Sequence, residues 1–231
     1  MTGLTTNFHE AGFAIAHEIF QAAEISQLLT AIDQYPAHRS RAGVRHAMRL
    51  QLVARFAERP ELIEMASSIL SAGALPFHAT LFDKSPAANW LVAWHQDTAL
   101  PLRERREVPG WGPWSMKEGV LYAHAPAEAL SQVVALRVSL DDSLENNGPL
   151  RVLPATHHRG VLSDDEILRL AAEIAPLSCV APCGSVVAMS PLVLHASSKS
   201  ESSIPRRVLH IEYAASPTVG GGLELTGFDR N

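Results

Sequence analysis

The sequence predicts a mainly β domain with flanking α-helices, a double-stranded β-helix of the jelly-roll, cupin-like kind. Three observations lead there. From residue 76 onward the chain runs through short apolar or alternating stretches: FHATLF, LVAWHQ, VVALRVSL, LRVLP, SCVAP, SVVAMS, LVLHA and RVLHIEYA, each of strand length. Turn-forming residues separate many of them, with Asn-Asn-Gly at 146–148, Pro-Cys-Gly at 182–184 and Ser-Ile-Pro at 203–205. The length of 231 residues and the hydrophobic content of 47% suit one domain with a sizeable core. The expected layout is a single domain over 1–231, with N-terminal helical support over about 1–75 and the jelly-roll core over about 76–216.

In chain order, GFAIA (12–16) reads as a strand. FQAAEISQLLTAIDQ (20–34) places Leu28, Leu29 and Ile32 at helical spacing. Pro60 opens a second helix, PELIEMASSILSAG, ending near Gly73. The strands follow from residue 76. One helix, SDDEILRLAAEI, interrupts them, with Ser163 or Asp164 as its N-cap. Residues 98–130 do not fit strand spacing and form a long excursion between two predicted strands. Long loops in compact domains are often active-site lids, and this one begins one residue after Asp97, so a lid is expected here.

The net charge of −5 and a pI near 6.1 argue against nucleic acid or an anionic membrane as the partner. No stretch approaches the roughly 20 apolar residues that span a bilayer. The start lacks a basic n-region and a clean apolar h-region, so no signal peptide is expected. Two cysteines, Cys179 and Cys183, are too few for a disulfide framework. They also lack a second Cys/His pair for zinc. A cytoplasmic protein acting on a small molecule is the expectation, with the oligomeric state open.

The chemistry centres on His95-Gln96-Asp97, at the end of an apolar strand. Residues i and i+2 of a strand share a face, so His95 and Asp97 project together and Gln96 faces away. PLVLHASS supplies His195 about a hundred residues later. Two imidazoles and one carboxylate on one face make the ligand set of non-haem Fe(II) oxygenases, which leaves iron positions open for other ligands. A His-x-Asp pair or a lone strand histidine is weak evidence separately, since each arises as an ordinary structural feature. Arg206, eleven positions after His195 and opening the strand RVLHIEYA, strengthens the pattern. Its planar fork suits the distal carboxylate of a dicarboxylate co-substrate. Ser197 shares the face of His195 and could donate to the same carboxylate. Arg207 points opposite to Arg206, so only one of the two can turn inward.

WHQD (94–97), NNGPLRVLPATHHRG (146–160), SPLVLHASS (190–198) and PRRVLHIEYA (205–214) together resemble the phytanoyl-CoA dioxygenase family, in family order over most of the chain from residue 76. The resemblance implies a jelly roll using Fe(II), 2-oxoglutarate and O2, with succinate and CO2 as products. It implies His95, Asp97 and His195 as metal ligands and Arg206 as the 2-oxoglutarate anchor, assisted by Ser197. The proline before Arg206 also matches and favours it over Arg207. Thr80 and Lys84, on FHATLFDKSP, and Arg137 fall near positions that line the co-substrate pocket in the family. Arg151 and His157 fall near the pocket rim by the same likeness. Halogenating members replace the aspartate with a small residue. Asp97 fills that position, so hydroxylation or a related oxidation is implied.

The stretch after Asp97 looks longer than in the acyl-CoA hydroxylases that name the family, so the family name does not supply the substrate. Arg103, Arg105 and Arg106, and the N-terminal patch of Arg39, Arg41 and Arg45, read as solvated charge. The N-terminal patch could alternatively approach an anionic substrate. Trp111 and Trp114 could cover a substrate or anchor the loop. His210 shares the Arg206 side by parity and reads as a buried, hydrogen-bonded histidine. Two alternatives stay open on the residues alone. One is a cupin-like metalloenzyme without an oxoacid; the other is a non-catalytic jelly-roll binding protein.

Overall fold

Period-two alternation in the long strands, and the turns between them, divide the chain into two facing layers. The computed structural model describes residues 2–34, 43–85 and 88–228. Along the chain come α1 (Thr2–Ala11), β1 (Phe13–Ala16), α2 (Ala22–Asp33), β2 (Gly43–Val44), α3 (Gln51–Ala57), α4 (Pro60–Leu70), β3 (Leu75–Lys84) and β4 (Val92–His95). The insertion follows as β5 (Ala99–Leu102), β6 (Trp114–Lys117), β7 (Val120–His124) and α5 (Ala127–Leu130). Then come β8 (Val133–Ser139), β9 (Leu150–Leu153), α6 (Asp164–Glu173), β10 (Leu177–Cys179), β11 (Val186–Met189), β12 (Leu194–Ser197), β13 (Arg206–Ala214), β14 (Thr218–Val219) and β15 (Leu223–Glu224).

Among the described residues the larger sheet runs β1-β11-β8-β13-β3-β2 and the smaller β10-β9-β12-β4, with antiparallel neighbours throughout. This is the expected jelly roll. On the outer face of the larger sheet, Leu209, Ile211 and Tyr213 of β13 join Val134, Leu136 and Val138 of β8 and Leu81 of β3. The helices close over them with Phe20, Ile25, Leu62, Met65 and Ile69. Each such fully buried side chain contributes about 1.5–3 kcal/mol. Tyr213 also donates its hydroxyl to the Ala57 carbonyl at 2.9 Å, which satisfies its polar end inside the core. The alternate residues of the same strands face the smaller sheet.

Leu153 and Leu194, on the outer face of the smaller sheet, are covered by Leu170 of α6. Ser163 caps that helix in a reciprocal box with Glu166. The expected strands and helices therefore stand, and α1 and α3 add to them.

The insertion is corrected in one respect: 98–130 contains the sheet β5-β7-β6 rather than strand-free loop. A two-residue turn, Glu118-Gly119, with φ of 49° and 80°, joins β6 to β7 and has the positive angles that tight hairpins require. The insertion is packed, not free. Leu100, Leu102, Trp111 and Ala123 share a core cluster with Val219, Leu223 and Leu225. Trp111 donates its indole N–H to the Gly220 carbonyl at 3.1 Å, so it anchors the loop. Trp114 sits under the Arg105 guanidinium at 5.7 Å. Arg106 donates to the carbonyls of Gly221 and Gly222, and Arg105 pairs with Glu107. No described helix is long and apolar enough to cross a membrane.

Candidate active site

The smaller sheet presents its inward residues to the inward face of the larger one. His195 on β12 is the direct cross-strand partner of His95 on β4, and their rings stand 4.2 Å apart between centroids. Asp97 follows β4, held by its amide donating to the Pro191 carbonyl at 2.9 Å. Its two carboxylate oxygens lie 3.5 Å from His95 Nε2 and 3.4 Å from His195 Nε2. One ligand-type atom from each of the three residues lies within 4.8 Å of the other two. Both rings are tied in the same way. His95 Nδ1–H donates to the Ala93 carbonyl at 2.9 Å, and His195 Nδ1–H to the Val193 carbonyl at 3.0 Å. That fixes the tautomer and leaves each Nε2 lone pair facing Asp97.

Burial would raise the Asp97 carboxyl, but the imidazoles of His195, His95 and His210 outweigh it and hold the group well below the usual carboxylate range. Burial pushes His195 down to about 4. Burial also pulls on His95, but the adjacent Asp97 carboxylate outweighs it and raises the value by favouring the protonated ring. The donor set is two neutral nitrogens and one carboxylate on one face, which fits a divalent iron with positions left over.

Gln96 points away from this cluster and is buried. Its amide donates to the carbonyls of Gly160 and Leu192 and accepts from Leu162 N–H, at 2.7–2.9 Å. The middle residue of His-x-Asp therefore clamps two loops behind the site.

A pocket of about 110 Å³ adjoins the triad, with His95, Asp97 and His195 in its lining. It also holds three cations: Lys84, Arg137 and Arg206, exposed by 1, 9 and 3%. Lys84 and Arg206 are cross-strand partners, and Arg137 lies on the neighbouring strand. Lys84 donates to Ser197 Oγ at 2.7 Å and to the Ser198 carbonyl. Arg206 Nη2 reaches Ser197 Oγ at 3.5 Å. Ser197 gives its own proton to the Gly148 carbonyl at 2.8 Å. Gly148 has φ of +72°, and a Cβ there would meet the Ser198 carbonyl at 2.5 Å and Lys84 Nζ at 3.1 Å. The Asn-Asn-Gly turn thus lets the backbone approach this pocket closely.

Arg137 donates to His210 Nδ1 at 2.9 Å and stacks on Phe82. His210 is neutral, pushed by burial to about 4. Burial and the neighbouring guanidiniums lower Lys84 to about 8, and burial with Arg137 lowers Arg206 to about 10. Among the described residues none of the three cations has a carboxylate within ion-pair distance, and Arg206 Nε is buried without a partner. Arg207, by contrast, points outward and pairs with Asp141 at 2.8 Å.

A second, larger pocket of about 320 Å³ shares His95, Asp97 and Phe82 and opens to solvent. Thr80 lines this pocket rather than the cation pocket. The reason is register: Thr80 pairs with His210, four pairs along the ladder from Lys84 and Arg206. Parity on β9 turns Arg151 over Trp94 at 5.4 Å, and its Nη1 donates to Ser198 Oγ at 3.4 Å. His157 packs at Gly12 and bonds the His9 carbonyl, away from both pockets.

Sequence reading missed His78, Glu212, Tyr122 and Lys117 in the larger pocket. Parity with Thr80 and His210 could have found His78 and Glu212. Of the N-terminal basic patch, Arg45 lines this pocket, while Arg39 and Arg41 lie outside the described residues.

A jelly roll with two imidazoles and a carboxylate converging between its sheets, beside a pocket lined by three buried cations, belongs to the architecture of metal-centred oxygenases. A sequence model of the phytanoyl-CoA dioxygenase family matches residues 8–208, and the chain belongs to that family. It is 27% identical over 189 residues to L-proline trans-4-hydroxylase of Streptomyces griseoviridis, with 71% of this chain and 63% of the relative covered. The chain thus spans under two thirds of that curated relative.

Among solved structures, AviO1 from Streptomyces viridochromogenes Tue57 matches with a TM-score of 0.69, 21% identity and coverage of 96% of this chain and 97% of that one. EctD from S. alaskensis with bound Fe matches at 0.73, with 17% identity and coverage of 100% and 82%. The non-heme alpha ketoglutarate dependent epimerase SnoN from nogalamycin biosynthesis matches at 0.70, with 17% identity and coverage of 99% and 86%. At these identities the structures establish the shared fold.

Proposed function

We propose that the protein is an Fe(II)- and 2-oxoglutarate-dependent dioxygenase that hydroxylates a small organic molecule. His95, Asp97 and His195 would hold the iron. Arg206, Lys84 and Ser197 would hold the distal carboxylate of 2-oxoglutarate, with Arg137 lining the same pocket. The single observation that carries the reading is the cationic pocket against the triad. Buried charge without a counter-charge is costly, and a dicarboxylate that also chelates the metal supplies that counter-charge. This favours an oxoacid-using enzyme over a cupin-like metalloenzyme without one and over a binding protein with a vestigial site.

Together Fe(II) and 2-oxoglutarate would supply the oxidising chemistry, in which O2, the oxoacid and substrate C–H become hydroxylated product, succinate and CO2. The chain's own residues position and protect. The Ala93 and Val193 carbonyls aim both Nε2 atoms. Ser197 can turn its hydroxyl from the Gly148 carbonyl to a bound carboxylate. Phe82 lines both pockets beside the triad. Thr80 is assigned to the substrate side.

The relative's substrate suggests starting a screen with free amino acids, L-proline first. The domain reading of 1–231 as one unit, with 98–130 shaping the substrate mouth, is kept in this proposal. The two unpaired cysteines support a reducing, cytoplasmic setting. The test is O2-dependent succinate release on adding Fe(II) and 2-oxoglutarate to the purified protein with the screen compounds. A charge-transfer absorption band on anaerobic mixing of protein, Fe(II) and 2-oxoglutarate is expected first. No band and no metal uptake would reject the proposal.

A further inference from the structure

The larger pocket carries a second group of cations that the chemistry above does not use. Lys117, at the end of β6, and Arg45, just after β2, both line its wall. The Lys117 ammonium stands 4.7 Å over the Tyr122 ring. Among the described residues no carboxylate lies within ion-pair distance of it. Arg45 Nε is 3.5 Å from Glu118, whose side chain is 41% exposed, and that nitrogen is buried without a hydrogen-bond partner. The two cations are close enough that Arg45, after burial itself, is a chief cause lowering the Lys117 ammonium.

The carboxylates in the same pocket are already engaged. Glu212 accepts from His78 Nδ1–H at 2.6 Å, and His78 Nε2 accepts from the Tyr122 hydroxyl at 3.1 Å. Asp97 faces the two imidazoles. Lys117 and Arg45 therefore line an open pocket large enough for a small organic molecule, with Asp97 and Glu212 acting on Lys117 through their charge.

We propose that Lys117 and Arg45 form an anion-binding subsite, so that the substrate is a small molecule with a carboxylate or phosphate group held at the mouth while its carbon skeleton reaches toward His95 and Asp97. This rests on the oxygenase reading. Two cations lining one pocket can share one anionic group, and burial has already taken part of the water from the Lys117 ammonium. Lys117 comes from the 98–130 insertion and Arg45 from the N-terminal part, so the subsite exists only where these two segments meet. The Tyr122–His78–Glu212 chain behind them fixes the ring that carries Lys117.

The test uses the anaerobic protein–Fe(II)–2-oxoglutarate complex and matched probes: cyclohexanecarboxylate against its carboxamide, benzoate against benzamide, and phenyl phosphate against phenol. Binding is read by the shift of the charge-transfer band and, in parallel, by saturation-transfer NMR on the Zn(II) form. The charged member of at least one pair is expected to bind on the order of tenfold more tightly than its neutral partner. Lys117→Gln and Arg45→Gln are each expected to erase most of that difference. The carboxylate and phosphate arms decide which group is preferred. Neutral probes binding as well as charged ones, no probe binding at all, or a preference that survives both substitutions would overturn the subsite. The band itself forms whether or not the subsite exists, so its absence would strike the oxygenase reading instead.

Discussion

Arg206 and Lys84 stand opposite each other as cross-strand partners at the start of β13 and the end of β3, two buried cations side by side. Like charges directly opposed on a sheet repel, and neither has a carboxylate in reach among the described residues. The fold tolerates this unfavourable pair at the one place where a dianion would turn it into an asset.

Arg206→Met should therefore separate stability from binding. Removing one buried, unpaired charge is expected to stabilise the 2-oxoglutarate-free protein, by roughly 1–4 kcal/mol. The same change should weaken 2-oxoglutarate by about 30-fold or more, since the remaining groups lose the bidentate fork. Thermal melts without the oxoacid and anaerobic titration with it measure the two effects. Unchanged 2-oxoglutarate affinity would remove Arg206 from the anchor role.

The Lys84 shift gives a pH dependence with a definite sign. Its ordinary value of 10.5 falls to about 8 in the folded protein. Between these values the unfolded chain binds more protons, so the stability of the oxoacid-free protein should rise as pH climbs from about 8 towards 10.5. Oxoacid binding should run the other way, because a dianion favours the ammonium form. Near pH 8 binding should take up about half a proton, falling towards zero at about pH 6.5. Calorimetric titration in phosphate and in Tris buffers reads this directly. Equal heats in the two buffers at pH 8 would contradict it.

His195→Ala removes one of three converging donors and leaves its cross-strand partner His95 with Asp97 alone. Iron affinity should fall by about 100-fold or more. Metal content after dialysis against a weak chelator gives the answer, with far-ultraviolet circular dichroism as a check that the sheets persist.

Gln96→Leu keeps the volume but abandons the Gly160 and Leu192 carbonyls and the Leu162 amide. Each buried backbone group left unpaired costs about 1–3 kcal/mol. Chemical denaturation should show a loss on the order of 2–5 kcal/mol, and the loops behind the site should exchange amide hydrogens faster. A neutral substitution would mean the clamp is ornamental.

The jelly roll was legible because its strands alternate cleanly. The same parity placed His95 with Asp97, and Arg206 with His210, on common faces. The insertion hid its strands because β5, β6 and β7 are only four or five residues long and are interrupted by Pro101, Pro113 and a charged run. The mouth residues were invisible for another reason. His78 meets Glu212 across 134 positions, and Tyr122 meets His78 across 44. Neither spacing carries a local pattern. Only sheet register and the docking of the insertion bring those side chains together.

Each candidate iron-binding imidazole is tethered by its far nitrogen to the peptide oxygen two residues upstream on its own chain segment. That anchor, and with it the orientation of each donor atom, belongs to the main chain, which point mutation cannot remove, while Asp97 and Arg137 act on the imidazoles through their charge. Natural or engineered variants of this centre would therefore have to retune its redox character through the lone carboxylate or through the surrounding charge field, with the two nitrogen donors as a fixed background.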